Sequence, residues 1–141
     1  MEMVILAPDV YVNASVALGS PPDQVARRVL GAKRFSTQTS EWVLARVQQM
    51  LKALPAFKPE AVDAQLELIR GLVGIVEVPE LPAEAWSEAL VATALAAGAR
   101  RVVTDHPDLL ALEAQSGVDF MSSEAWLLEA ATPPPAPVLQ H

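Results

Sequence analysis

Residues 94–112 read Ala94-Leu-Ala-Ala-Gly-Ala-Arg-Arg-Val-Val-Thr-Asp-His-Pro-Asp-Leu-Leu-Ala-Leu112, and this stretch decides the fold. An Ala- and Leu-rich helix, expected over 83–97, ends at Gly98, a natural residue for the position just past a helix C-terminus. Arg101–Thr104 is a short β-prone run and reads as a strand. Pro107 then suits the first turn of a new helix, expected over 107–115. Helix, strand and helix in such quick succession are the building unit of a parallel sheet covered by helices.

The same alternation runs outward in both directions. Met3–Leu6 is a continuous apolar run, the mark of a strand buried on both faces. Helices are expected over Val10–Leu18 and, after the Pro21–Pro22 turn, over Gln24–Leu30, with Arg27 and Arg28 off the apolar face. Phe35–Thr39 reads as a strand, and Thr39 or Ser40 can cap a helix over Glu41–Leu54. In that helix Trp42, Val43, Val47, Met50, Leu51 and Leu54 recur at helical spacing. Ala61–Leu72 is a further helix and Ile75–Val78 a further strand. Val118–Met121 is the last strand, and Ser122 and Ser123 can cap Glu124–Ala131. The fold class is α/β, a small parallel sheet of about five strands flanked by helices, over residues 1–131. Residues 132–141 are Pro-rich and are expected to be a disordered tail. Ligands of such sheets gather at the carboxyl ends of the strands. That directs attention to Ala7–Asp9, Ser40–Glu41, Pro79–Glu80, Thr104–Asp108 and Ser122–Ser123.

Composition removes several function classes. The chain has 141 residues, the size of one domain, and no Cys, which excludes disulfides, thiolate metal sites and a Cys nucleophile. With 2 His, a His-rich metal site is excluded as well. Ten basic residues against 17 acids leave a net charge of −7, which argues against a surface that grips phosphates wholesale. The charge is uneven: residues 1–70 carry 8 basic and 7 acidic residues, residues 71–141 carry 2 and 10. No basic stretch precedes an apolar run at the N-terminus, and the apolar stretch around 89–99 is broken by Thr93 and Gly98 and too short to span a bilayer. A cytoplasmic protein with no membrane contact is the expectation.

The strand-end residues bring a family into view. Over residues 3 to about 130 the chain resembles the PIN domain, and within it the bacterial PIN-family toxin components of the VapC kind. The resemblance is carried by Val4-Ile-Leu-Ala-Pro-Asp-Val-Tyr-Val-Asn-Ala14, by the 94–112 stretch, and by Gly117-Val-Asp-Phe-Met-Ser-Ser-Glu-Ala-Trp-Leu127. It implies a three-layer PIN-like domain and a metal-dependent endoribonuclease that holds Mg²⁺ or Mn²⁺ in a cluster of carboxylates. Hard divalent ions take oxygen ligands, and the metal activates a water and neutralises charge developing on the phosphate. The resemblance further implies RNA, an antitoxin or another protein as partner, and a homodimer.

The departures from the family pattern are as informative as the match. Where the family has Asp, Thr and Asn after the first strand, this chain has Ala7, Pro8 and Asp9. The family Glu on the helix after the second strand aligns with Arg46. The family Asp at the start of the Ala-rich helix falls on Ser87, with Glu88 beside it. After the fourth strand Thr104 and Asp108 hold the pattern, but the main Asp position is His106. One of the expected acids, Asp108, therefore remains, while Ala7, Arg46, Ser87 and His106 replace the others.

Two readings follow. Asp108, Asp9, Glu88 and Asp105 can substitute as a relocated catalytic cluster, with Asp108, Asp9 and Asp105 as the metal ligands. Alternatively the nuclease is lost or much weakened, Arg46 fills the cation position by pairing with Asp108 or Asp9, and the domain acts by binding RNA or protein. Each residue also has a plainer role. Asp9 and Asp108 suit helix first turns, Asp105 or His106 can N-cap the helix at Pro107, and Glu88 and Arg46 suit solvated helix faces. Tyr11 and Trp42 are expected in the core, while Trp86 and Trp126 are candidates for an exposed contact surface. Arg27, Arg28, Lys33 and Arg34 form the single basic cluster, a solvated face or a rim for RNA or a partner.

Overall fold

A computed structural model describes residues 2–31 and 34–131. The expected tail at 132–141 and Lys33 lie outside the described residues. Seven short strands and seven helices are found there, and every strand pairing is parallel. The chain order is β1 (Glu2–Met3), β2 (Ile5–Leu6), α1 (Pro8–Val16), α2 (Pro21–Gly31), β3 (Phe35–Ser36), β4 (Gln38–Ser40), α3 (Glu41–Lys52) and α4 (Pro59–Leu72). It continues with β5 (Gly74–Val76), α5 (Trp86–Ala97), β6 (Arg101–Val103), α6 (Pro107–Leu110), β7 (Asp119–Met121) and α7 (Ser123–Ala131).

β1 and β2 are two parts of one extended segment, interrupted at Val4, whose N–H donates to the Ser36 carbonyl. The first part pairs with β3 and the second with β6. β3 and β4 are likewise successive parts of one segment, and β4 pairs with β5. β6 pairs with β7. The segment at residues 2–6 is thus central, and its Val4, Ile5 and Leu6 are fully buried, as an apolar run without alternation requires. β5 lies at one edge and β7 at the other.

The helices end where their sequences dictate. Ser40 caps α3 by accepting from the Val43 N–H, and Gly98 closes α5 in the left-handed conformation, at φ 75°. Two helices are shorter than expected by three residues or more. The helix from Pro107 stops at Leu110 rather than 115, because Ser116 and Gly117, both at positive φ, form a tight turn that pairs Gln115 with Val118. The helix expected from 83 begins at Trp86, since Ala83–Ala85 lie in a turn closed by the Ala85 N–H on the Pro82 carbonyl. No helix among the described residues is long and apolar enough to cross a membrane.

One hydrophobic cluster joins both faces of the sheet. Trp126, a candidate for exposure from sequence, is 1% exposed and meets Phe35 edge to face, with ring centroids 4.9 Å apart. α7 packs along α2, and its inward-facing indole reaches the Phe35 ring at the start of β3. Truncating so large a buried ring leaves a cavity. Trp126→Ala is expected to lower stability by about 3–5 kcal/mol, read as a fall in the urea midpoint with an unchanged slope.

Candidate functional site

Because all strands run the same way, their carboxyl ends share one edge of the sheet. Ala7, Glu41, Glu77, Thr104 and Ser122 directly follow strands there. Several polar residues of this edge are tied to each other rather than open to solvent. Asp9, in the first turn of α1, is 8% exposed. Its Oδ1 accepts from the Thr104 hydroxyl at 2.9 Å and its Oδ2 from the Asp105 N–H at 2.8 Å. The Asp105 carboxylate in turn accepts from Ser123, by the backbone N–H at 2.8 Å and the hydroxyl at 2.6 Å. The Thr104 hydroxyl also accepts from the His106 N–H. Burial pushes the Asp9 carboxyl above its ordinary value. The Asp105 amide and Thr104 hydroxyl pull it back, and the nearby Asp105 carboxylate raises it again.

His106 is the N-cap of α6: its Nδ1 accepts from the Asp108 N–H at 3.2 Å. The Asp108 side chain is exposed at the first turn of that helix. Glu88 is exposed on α5 and accepts from the Ser87 hydroxyl at 3.4 Å. Ala7 is fully buried. The structure therefore brings Asp9 and Asp105 together, but as acceptors in a network of the protein's own donors. Among the described residues no group of three or more His, Asp or Glu side chains is arranged to hold a metal ion. The residues present do not fit a divalent-ion cluster.

A different arrangement fills this edge. The Arg46 guanidinium lies over the Trp42 ring, 5.5 Å from its centroid. The Trp42 ring meets Trp86 at 5.6 Å with planes 88° apart, and Trp86 meets the His106 ring at 5.5 Å. Arg46, Trp42, Trp86 and His106 thus form a ladder across α3, α5 and the start of α6. Trp42 also donates its Nε1–H to the Pro82 carbonyl, tying the 77–85 segment to α3. Arg46 forms no ion pair with Asp9 or Asp108: the ion pairs among the described residues join Arg27 to Asp23, Arg70 to Glu41 and Arg101 to Glu129. Its Nε and Nη1 are buried without a hydrogen-bond partner. Leaving a buried charged donor unsatisfied costs about 1–3 kcal/mol or more. The expected pairing of Arg46 with Asp9 or Asp108 is not formed, and the guanidinium lies over Trp42 instead.

The basic cluster lies elsewhere. Arg34 precedes β3 at the amino end of its strand, and Arg27 and Arg28 are near the C-terminus of α2, which feeds it. Arg27, Arg28 and Arg34 line a separate groove with Phe35 and Leu127. They do not rim the carboxyl-end cleft. Sequence reasoning missed the Arg–Trp–Trp–His ladder. Its local signal was the spacing of Trp42 and Arg46, four residues apart and so on one face of α3.

With this geometry in place, the chain can be set beside known proteins. No protein-family model matches the sequence, and none of the curated proteins matches it. Among solved structures, VapBC2 from Rickettsia felis, bound to a DNA fragment from its promoter, aligns with a TM-score of 0.62 at 14% identity. The alignment covers 85% of this chain and 98% of that one. The fold is PIN-like. Identity this low carries the architecture and nothing of the chemistry.

The Thr104–Asp9 bond gives a direct test of the network. Asp9, with its carboxyl raised, contributes most to stability at acid pH, and that contribution is lost as the pH rises through the raised value. Removing the Thr104 donor raises it further. Thr104→Val is expected to cost about 1.5–3 kcal/mol at neutral pH. The cost shrinks below the ordinary carboxyl range, as urea denaturation at pH 3.5 and pH 7 (about 3.5 units apart) will read.

Proposed function

We propose that the chain is a PIN-like domain of the toxin-type ribonuclease family in which metal-dependent cleavage is lost or much weakened, and that it acts by binding RNA or a protein. The observation that carries this reading is the state of the two buried-edge carboxylates. Asp9 and Asp105 already accept from Thr104, the Asp105 amide and Ser123. These donors hold both carboxylates in place, and two carboxylates without further acids hold Mg²⁺ poorly in water. The other positions give no help: Ala7 and Ser87 have no charge, and Arg46 carries a positive one.

The likeness to VapBC2, a complex with its own partner on promoter DNA, supports a partner of the antitoxin kind, and self-association as a homodimer belongs to the same reading. The net charge of −7 favours a protein over RNA.

The competing reading is an active Mg²⁺- or Mn²⁺-dependent ribonuclease that uses Asp9, Glu88, Asp105 and Asp108. Calorimetric titration with Mn²⁺ separates the two. No saturable heat is expected up to about millimolar metal, and Asp108→Asn is expected to behave as the native protein does. Micromolar Mn²⁺ binding abolished by Asp108→Asn, together with metal-dependent cleavage of RNA, would reinstate the nuclease.

A further inference from the structure

Between α3 and the segment that leaves β5 lies a groove of about 980 Å³, walled by Trp42, Ala45 and Arg46 on one side and by Val76–Pro82 on the other. It is large enough for several residues of an extended chain and far larger than a single ion needs. Arg46 is its one cation without an ionic partner, since Glu41 in the same wall is paired with Arg70 through two hydrogen bonds at 2.6 and 2.9 Å. Two Arg46 nitrogens, Nε and Nη1, are buried and donate to nothing. The guanidinium carbon lies over Trp42, 5.5 Å from its ring centroid, and Trp42 is itself buried and anchored through the Pro82 carbonyl. The remaining guanidinium nitrogen, Nη2, is not among the buried ones, and there the cation can meet a carboxylate that enters the groove.

The rest of the groove narrows the choice of ligand. Ile75, Val76, Val78 and Leu81 supply an apolar wall, while Glu77 and Glu80 add negative charge. Those carboxylates oppose a phosphate backbone, which would meet one positive and two negative groups. They favour a ligand in which an acid is flanked by bases.

We propose that this groove is a docking site for an extended peptide segment of a partner protein, which presents an Asp or Glu carboxylate to Arg46 and Lys or Arg side chains to Glu77 and Glu80. The inference rests on the domain acting by binding, and it names the site and the chemistry of the partner. Trp42 and Trp86 lie at or beside the groove, so binding is readable in their fluorescence. The full-length chain is titrated with acetyl-Lys-Xaa-Asp-Xaa-Lys-amide, a pool in which Xaa is Leu, Val or Ala. A second pool has Asn in place of Asp, and a third probe is a single-stranded RNA hexamer. Saturable binding of the Asp pool is expected, at least tenfold weaker with the Asn pool and at least tenfold weaker with Arg46→Met. Arg46→Lys is expected to recover part of the loss. Arg46→Met keeps the aliphatic contact with Trp42, and its thermal transition shows that the variant is folded. The Arg46 Nε–H resonance, followed in the same titration, is expected to shift with the Asp pool alone.

Equal binding of the Asp and Asn pools, binding untouched by Arg46→Met, or binding of the RNA hexamer alone would overturn the assignment. So would an Arg46 Nε–H signal that moves only with protein concentration, which would make a second copy of the chain the occupant. These failures differ from failure of the underlying reading, which shows itself as Mn²⁺ binding and RNA cleavage.

Discussion

The arrangement of the carboxyl-end edge depends on one buried carboxylate. Asp9 leaves the first strand, yet its two oxygens are held by residues 95 and 96 positions later in the chain. Burying a charge is expensive unless donors meet it. Here a hydroxyl, an amide and the N-terminal turn of α1 do so. The next carboxylate, Asp105, passes the link to the start of α7 through Ser123. Three chain segments that are remote in sequence are therefore pinned at one edge by hydrogen bonds to two acids. The sheet pairings alone fix how the strands lie, and the Asp9–Asp105 network fixes how the chain turns away from them.

What surrounds that network is packing rather than charge. Arg46, Trp42, Trp86 and His106 contact each other in series, and two of them are held from outside the series as well. Trp42 bonds to Pro82, and His106 caps α6. Only Arg46 keeps an unmet demand, since stacking satisfies its flat face and leaves its edge donors unused. The edge is thus rigid along most of its length and chemically incomplete at one end.

Much of this was legible in the sequence. Runs such as Val4-Ile-Leu6 and Val102–Val103, with Gly98 and Pro107 between elements, carry strong local signals, and the parallel α/β order follows from them. Segment ends were less legible. The early stop of α6 at Leu110 depends on a turn at Ser116–Gly117, in which a non-glycine residue adopts positive φ. The burial of Trp126 depends on its meeting Phe35, 91 positions away in the sequence, which no local pattern encodes. At the candidate site the residue identities were legible and their partners were not. Asp9 was placed at the edge by its position after a strand, but a carboxylate that binds an ion and one that accepts from Thr104 look alike in a sequence. Arg46 was expected to seek an acid and instead lies over an indole, a neighbour that α3 itself supplies one turn away.

The ladder has a bearing on how such a chain can change over time. Its members are mutually dependent: an acid at 106 would remove the ring that faces Trp86 and exchange the cap of α6, and an acid at 46 would set a negative charge on the face of Trp42. Neither change by itself creates a set of ligands, and each disturbs contacts that the present fold uses. Installing carboxylates here would require several substitutions at once, each unfavourable when it occurs alone. The ring contacts thus make this surface resistant to the piecemeal arrival of acids.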